Sequence, residues 1–326
     1  MADSETDGKI WVIRYRRYGD PDVCGLEYED PPEPGRGQVR VATRVVSVNP
    51  VDWKLARGDF RIATGLRPNR IPGSDFAGDV ISCGPGVTRV KAGDRVFGMV
   101  STLGRGTYAE QIVVQESQAV PIPQEVGYID AAALPLTSLT AFQSLFVHGR
   151  IPPGAHVLIN GASGGVGVAA LQLARIGGAR VTAVASGPQE RLCERLGASS
   201  FVDYRERDPL LARHDDYHMI LDAVDTLDYG AAMDALHPGG TLVTLNPSLR
   251  AFFSSIRSLR HPRRHKVEMV RADGRQLGRI AEHVAGGRMV PIIQEVLPIS
   301  EVSQAWRLSM QGHVVGKIVL DTRTGF

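Results

Sequence analysis

Two textures of hydrophobic and polar positions divide the chain. Up to about residue 115, short apolar runs at 10–15, 38–47, 78–82, 95–99 and 108–114 are separated by turn clusters such as Pro31-Pro32-Glu33-Pro34-Gly35, Gly84-Pro85-Gly86 and Lys91-Ala92-Gly93-Asp94. Many short strands punctuated by Gly and Pro predict a partly closed β domain. From about Asp130 the pattern changes. Residues 131–146 read as an alanine- and leucine-rich helix. Apolar strands at 157–160, 180–185, 200–203, 219–223 and 241–245 then alternate with amphipathic helices at 168–176, 188–196 and 229–236. Such alternation predicts right-handed crossovers and a doubly wound parallel sheet, with its ligand at the carboxyl ends of the strands. A helix at 276–285, a strand at 292–297, a short helix at 302–308 and a strand at 317–321 read as the β domain resuming. The expected class is α/β.

The apolar strand Val157-Leu158-Ile159-Asn160 breaks into Gly161, Ala162, Ser163, Gly164, Gly165, Val166 and Gly167 and reopens as an apolar helix. This geometry leaves backbone N–H groups unpaired at the positive end of a helix dipole, where a pyrophosphate fits. Gly161 permits the tight turn, Gly164 lets a phosphate approach the backbone, and Gly167 lets helix and strand pack closely. The flanking strand and helix are the context that a dinucleotide site requires.

Composition narrows the remaining classes. The chain has 326 residues, 43% hydrophobic and 22% charged, a formal net charge of +2, and no apolar run of membrane-crossing length. The start, MADSETDGKI, resembles neither a secretory nor a transit peptide, so the cytoplasm is the expected compartment. Cys24, Cys83 and Cys193 are too few and too scattered for a disulfide framework or a cysteine-rich metal site. The charge balance gives no global attraction to nucleic acid, and neither nucleic acid nor a membrane is expected as a partner. Positive charge concentrates at 257–271, read as a solvated loop or subunit-edge segment, or alternatively as an attractor for an anionic substrate or carrier protein. His261 and His265 there lack the carboxylate or thiolate companions of a metal site.

The order of several short motifs resembles the medium-chain dehydrogenase/reductase superfamily, in its zinc-independent quinone and enone reductase branch, similar to zeta-crystallin. These are Asn49-Pro50-Val51-Asp52-Trp53-Lys54, Ile71-Pro72-Gly73-Ser74-Asp75-Phe76-Ala77-Gly78, Gly93-Asp94-Arg95-Val96, Gly106-Thr107-Tyr108-Ala109-Glu110, Leu134-Pro135-Leu136-Thr137-Ser138-Leu139-Thr140-Ala141, the glycine turn, and Gly316-Lys317-Ile318-Val319. The resemblance covers nearly the whole chain. It implies a GroES-like catalytic domain over 1–124, completed by 292–326, a Rossmann domain over 125–291, an active site in the cleft between them, and a homodimer.

Zinc-dependent relatives place a cysteine where this chain has Asn49 and a histidine where it has Ser74, so no zinc is expected. At the end of the second Rossmann strand, where NAD-preferring enzymes carry a carboxylate, stands Ser186, with Arg191 and Tyr204 nearby. In similar reductases a serine, a basic side chain and a tyrosine surround a 2′-phosphate, which favours NADPH; the ordinary alternative is that Arg191 faces solvent.

The implied reaction delivers a hydride to a quinone or to the activated C=C of an α,β-unsaturated carbonyl, so donors aimed at the acceptor oxygen are needed. Asn49 and Lys54 are the candidates, set against readings as a turn residue before Pro50 and as an ordinary exposed lysine. Asp52 is expected to orient the loop, Trp53 to fill the core, and Thr137 and Thr140 either to touch the nicotinamide or to cap a helix. Phe60 stands where related enoyl-thioester reductases use a tyrosine, and Lys54 where quinone reductases often do. Two alternatives therefore stay open: a pathway-specific enoyl reductase, for example of aromatic polyketides, and an NADPH-binding sensor or structural protein without turnover.

Overall fold

The computed structural model describes residues 8–66, 68–211 and 216–324. In chain order it forms β1 (Ile10–Tyr15), β2 (Cys24–Glu29), β3 (Gln38–Ser47), α1 (Pro50–Arg57), α2 (Arg61–Thr64), β4 (Asp75–Cys83), β5 (Arg95–Met99), β6 (Gln111–Gln115), β7 (Val120–Pro121), α3 (Tyr128–Ala132) and α4 (Pro135–Phe142). There follow β8 (His156–Asn160), α5 (Gly165–Ile176), β9 (Arg180–Ala185), α6 (Glu190–Leu196), β10 (Ser200–Asp203), β11 (Tyr217–Asp222), α7 (Tyr229–Ala235), β12 (Leu236–Thr244), α8 (Leu249–Arg257) and β13 (Arg264–Val267). The tail is α9 (Gly274–Ala285), β14 (Ile293–Pro298), α10 (Val302–Met310) and β15 (Lys317–Asp321). Two compact units result. One draws on Met1–Leu136, Ala272–Ala285 and Ile293–Phe326, the other on Thr137–Arg271 and Gly286–Ile292.

Period-two alternation builds the first unit. Along β3, Val39, Val41, Thr43 and Val45 are buried while Gln38, Arg40, Ala42 and Arg44 stay partly exposed, as a sheet with one face on a core requires. β3 is the hub of a seven-stranded sheet of order β14-β15-β3-β4-β5-β7, with β6 also paired to β3. The tail thus joins this sheet through the antiparallel β15–β3 ladder, Val319 opposite Ser47 and Leu320 opposite Val46. The hairpin β1–β2 packs Val12, Ile13 and Tyr15 into a core shared with Phe76, Tyr108, Trp306 and Ile318.

The second unit is a six-stranded sheet of order β10-β9-β8-β11-β12-β13, parallel throughout. Its central strands are apolar on both faces, Val157, Leu158 and Ile159 being fully buried with Met219, Ile220 and Leu221 beside them. The order reverses between β8 and β11, so the end of β8 lies at a switch point where ligands of such sheets bind.

Three elements differ from the sequence reading. The helix expected over 131–146 is split: α3 ends before Pro135, α4 starts on it, and the chain then widens into a π turn over Gln143–His148, because proline lacks an N–H and disfavours helix at the preceding residue. The strand expected from Tyr108 begins only at Gln111, and the Tyr108 ring is fully buried. The basic segment at 257–271 is not simply a solvated loop. It contains the edge strand β13, and His265 on it is buried, with burial pushing its imidazole down to about 4.

Candidate functional site

In the second unit, the end of β8 is tied to the end of β11 by side chains. Asn160 Nδ2 donates to Asp222 Oδ1 and to Thr226 Oγ1, each at 2.9 Å. The buried Asp222 carboxylate also accepts the N–H groups of Val224, Asp225 and Leu227 at 2.9–3.2 Å. The chain then turns on Gly161 at φ +79°, whose N–H, like that of Ala162, donates to the Val184 carbonyl. A Cβ on Gly161 would lie 2.7 Å from Val224 Cγ1, and one on Gly167 2.2 Å from the Gly161 oxygen. Only glycine closes this turn onto the helix. Around Gly164, by contrast, the nearest atom to an added Cβ is the Gly161 oxygen at 3.5 Å. Gly164 caps α5 without a side chain, and the N–H groups of Val166 and Gly167 find no acceptor among the described residues. Ala162 is buried, and Ser163, Gly164, Gly165 and Val166 are partly exposed. Unpaired donors at a helix start, with room for an oxygen over a side-chain-free cap, suit a phosphate.

At the end of β9, Ser186 is half-buried and heads a short 3₁₀ turn. Arg191 projects exposed from α6, and Tyr204 is half exposed, with the Arg205 guanidinium 5.8 Å from its ring centroid. The sequence reading missed Arg205 and also Asp203. Asp203 pairs in register with Ala185, and its carboxylate accepts the N–H groups of Gly187 and Arg205 at 2.8 and 2.9 Å. The signal was an acid at the end of a strand neighbouring β9, invisible until the strands are paired.

The first unit gathers a buried polar cluster. Asn49 stands before Pro50 at the start of α1, where its N–H donates to Asp52 Oδ2 at 2.8 Å. Its side chain is fully buried and bonded at both ends: Nδ2 donates to Asp75 Oδ2 at 2.8 Å, and Oδ1 accepts from Lys317 Nζ at 2.6 Å. A carboxylate only accepts and an ammonium only donates, so the orientation of the Asn49 amide is unambiguous. Lys317 Nζ also donates to the Val48 carbonyl at 2.7 Å and lies 3.7 Å from Asp75 Oδ2. Asp75 further accepts from the Ser47 hydroxyl at 2.6 Å and the Leu136 N–H at 2.8 Å.

Burial shapes the protonation of this cluster. It raises the Asp52 carboxyl to about 7, with the Asp75 charge adding to the effect and the Asn49 N–H and Lys317 opposing it. It pushes the Lys317 ammonium below the usual lysine range, against the attraction of Asp75 and Asp52. It also holds the Tyr108 phenol well above its ordinary range, 3.3 Å from Asp52 Oδ2. The assembly is a fixed hydrogen-bond network around one buried cation, able to hold the Asn49 amide rigidly and to retain a proton at Asp52 near neutral pH.

Lys54 is not part of this network. It projects half-buried from α1 with Nζ 5.7 Å from the Trp53 ring centroid, and its ammonium has no hydrogen-bond or ion-pair partner among the described residues. Trp53 Nε1 donates to Ser309 Oγ at 3.0 Å, which packs the indole against α10. Thr137 and Thr140 are both buried on α4. Sequence reasoning used Lys317 only as part of a motif and missed it as the partner of Asn49.

Among the described residues no group of three or more His, Cys, Asp or Glu side chains is arranged to hold a metal, and no helix is long and apolar enough to cross a membrane. Family models of an alcohol dehydrogenase GroES-like domain and of a zinc-binding dehydrogenase match residues 35–124 and 196–320. The chain is 30% identical over 96% of its length to the chloroplast envelope quinone oxidoreductase homolog of Arabidopsis thaliana, covering 99% of that protein. It is 29% identical over 96% of its length to the NADPH-dependent alkenal/one oxidoreductase of the same plant, covering 79% of it. The solved structure of the quinone oxidoreductase from Coxiella burnetii superposes with a TM-score of 0.88 at 28% identity, covering 97% of this chain and all of that one. This chain belongs to the medium-chain dehydrogenase/reductase family, in its quinone oxidoreductase-type branch. Its fold is the GroES-like domain with a Rossmann-like parallel sheet of that family. It is an oxidoreductase that uses a nicotinamide cofactor and a small-molecule substrate.

Proposed function

We propose that the protein is an NADPH-dependent, zinc-independent reductase of quinones or of the activated C=C of α,β-unsaturated carbonyls, and that it works as a homodimer in the cytoplasm. The observation that carries the zinc-independent reading is the Lys317 ammonium, 2.6 Å from the oxygen of Asn49, the residue that matches the cysteine ligand of zinc-dependent relatives. A lysine cation and a zinc ion repel each other, and the amide of Asn49 and hydroxyl of Ser74 are poor replacements for thiolate and imidazole.

The dinucleotide fits the glycine turn, where the N–H groups of Val166 and Gly167 have no acceptor among the described residues and Gly164 leaves space. Ser186, Arg191 and Tyr204 would surround a 2′-phosphate, with Arg205 adding a second cation. A nicotinamide cofactor held there would supply the hydride, and the reaction would need a donor for the acceptor oxygen. Lys54, whose ammonium has no hydrogen-bond or ion-pair partner among the described residues, would be the donor for such an oxygen. Asn49, clamped by Lys317 and Asp75, holds the start of α1, and thus the base of Lys54, in place. We assign the catalytic role to 1–124 completed by 292–326, and cofactor binding to 125–291.

Oxidation of NADPH and of NADH with a simple quinone and a simple enone tests this reading. A larger kcat/KM with NADPH is expected. An equal or larger value with NADH removes the NADPH preference, and no turnover on either acceptor removes the reductase assignment. One equivalent of tightly held zinc per chain would overturn the metal-free reading.

A further inference from the structure

The π turn at Gln143–His148 serves one short stretch of chain, the exit from β13. Its Gly149 N–H reaches back five residues to the Ser144 carbonyl at 2.8 Å, and this wider winding sets Gln143, Ser144 and His148 on one side. Gln143 is buried and grips Arg271 at both backbone atoms: Nε2 donates to the Arg271 carbonyl at 2.8 Å, and Oε1 accepts its N–H at 3.0 Å. His148 Nε2 lies 3.1 Å from Oε2 of Glu268. The Glu268 N–H in turn donates to the Thr244 carbonyl at 2.8 Å, extending the pairing of β12 and β13 by one residue. Residues 268–271 are thus held at both ends.

A carboxyl group in this place does not serve stability. The Glu268 side chain is 2% exposed, and burial pushes it up to about 7, against the Ser144 hydroxyl and the Arg271 charge. Burial, with the Lys266 and Arg271 charges, pushes the His148 imidazole below its usual range. At neutral pH the contact therefore joins an uncharged imidazole to a carboxyl that is protonated about half the time, not a full ion pair. Replacing such a buried, weakly countered group by an apolar residue of similar size is typically neutral or stabilising. Residues that break the packing rules in this way concentrate at functional sites. The location points the same way. Glu268 follows the carboxyl end of β13, on the side of the sheet where ligands of parallel sheets bind. With the 2′-phosphate half of a dinucleotide over β9 and β10, the other half crosses the switch point toward β11, β12 and β13.

We propose that Glu268 is a positioning residue for the nicotinamide half of the cofactor, and that the π turn, through His148 and Gln143, sets the strand exit 268–271 as the wall against which that half lies. This rests on the dinucleotide reading above and extends it to a residue outside the glycine turn. Glu268 acts through the backbone that it fixes. Its loss therefore leaves the glycine turn and the 2′-phosphate subsite intact and loosens only the nicotinamide end. Affinity falls and turnover slows together, because hydride transfer is sensitive to orientation.

Two ligands separate the halves: NADPH, and adenosine 2′,5′-bisphosphate, which lacks the nicotinamide. Calorimetric titration of the full chain with each tests the proposal for the wild type, Glu268→Leu, Glu268→Gln and His148→Phe. Glu268→Leu is expected to melt no lower than the wild type and to bind the bisphosphate unchanged, but to bind NADPH about tenfold more weakly. Its kcat with a simple quinone should fall by roughly tenfold to a hundredfold. Glu268→Gln can bond to either imidazole tautomer and should keep NADPH affinity within about twofold of the wild type. His148→Phe acts from the other side of the contact and should repeat the leucine pattern. NADPH binding by the leucine and phenylalanine variants within about twofold of the wild type overturns the proposal, as does a glutamine variant as weak as the leucine one. Equal weakening of both ligands also overturns it, giving Glu268 a purely structural part. A wild type that binds neither ligand removes the dinucleotide reading itself, and the proposal with it.

Discussion

Replacing Lys317 by methionine puts the buried network to a quantitative test. The methionine matches the length of the lysine stem but removes the ammonium from Val48, Asn49 and Asp75. Asp75 is fully buried and keeps the Ser47 hydroxyl, the Asn49 amide and the Leu136 N–H, all neutral donors, but loses its one close cation. Stripping one partner from a buried ion pair typically destabilises by about 3–5 kcal/mol, because the remaining charge is left uncompensated. For a unit of this size that lowers the melting temperature by roughly 10 °C. Trp11, Trp53 and Trp306, the three tryptophans of the chain, all belong to the first unit. Urea unfolding followed by tryptophan fluorescence therefore reads the unit in which the change is made. Asp75→Asn alone should also destabilise, leaving Lys317 with neutral acceptors and the half-protonated Asp52. The double variant removes both charges and should be less destabilised than the sum of the singles by about 2 kcal/mol or more. A Lys317→Met cost within about 1 kcal/mol of wild type, or singles that simply add, refutes the account of Lys317 as the cation that balances this cluster.

Four further outcomes follow from the same geometry. Gly167→Ala places a methyl 2.2 Å from the Gly161 oxygen, so the turn must open; equilibrium titration should show dinucleotide affinity falling by at least about tenfold, the equivalent of 1.4 kcal/mol, and unchanged affinity contradicts the packing role. Lys54→Met should lower kcat by roughly 10²-fold or more with little change in NADPH affinity, in line with a lost donor to a developing oxyanion; undiminished turnover removes Lys54 as the donor. Asp52 is raised from an ordinary value of about 4 to about 7, so the folded chain holds a proton that the unfolded chain has released. Its contribution to stability is complete below pH 4, declines as pH rises toward 7 and stays level above it; Asp52→Asn should flatten that stretch of the urea stability profile, and a parallel profile argues against the raised value. Ser186→Asp sets a carboxylate beside the proposed 2′-phosphate and should lower kcat/KM for NADPH well below that for NADH, whereas an unaltered ratio moves the phosphate elsewhere.

The parts of the molecule that were legible in the sequence are those whose physical demand is met by neighbouring residues. The turn at Gly161 needs a positive φ and a close approach of Gly167, and both requirements appear within seven residues of one another, so the strand, turn and helix could be read in order. The strands β3, β9, β10 and β15 announce themselves by alternation or by continuous apolarity and fall where the pattern puts them. β13 does not, because its residues are arginine, histidine, lysine and valine, and its place on the edge of the sheet comes from backbone pairing with β12, from Thr241 to Thr244, rather than from any apolar pattern of its own.

Asn49 shows why the candidate site was harder to read than the fold. Met along the chain, an asparagine before a proline offers two readings, a local turn residue or a polar group for a substrate, and the sequence holds nothing to weigh between them. In the folded chain the residue stands at the start of α1, where the Asp52 carboxylate accepts the Asn49 N–H. The amide is held by Lys317, 268 positions away, and by Asp75 on β4. Asn49 is thus the link between α1 and a buried cation delivered by the C-terminal strand. That link explains in physical terms why the tail is needed: β15 closes the sheet against β3 and in doing so carries into the site the one positive charge that the carboxylates of Asp52 and Asp75 require.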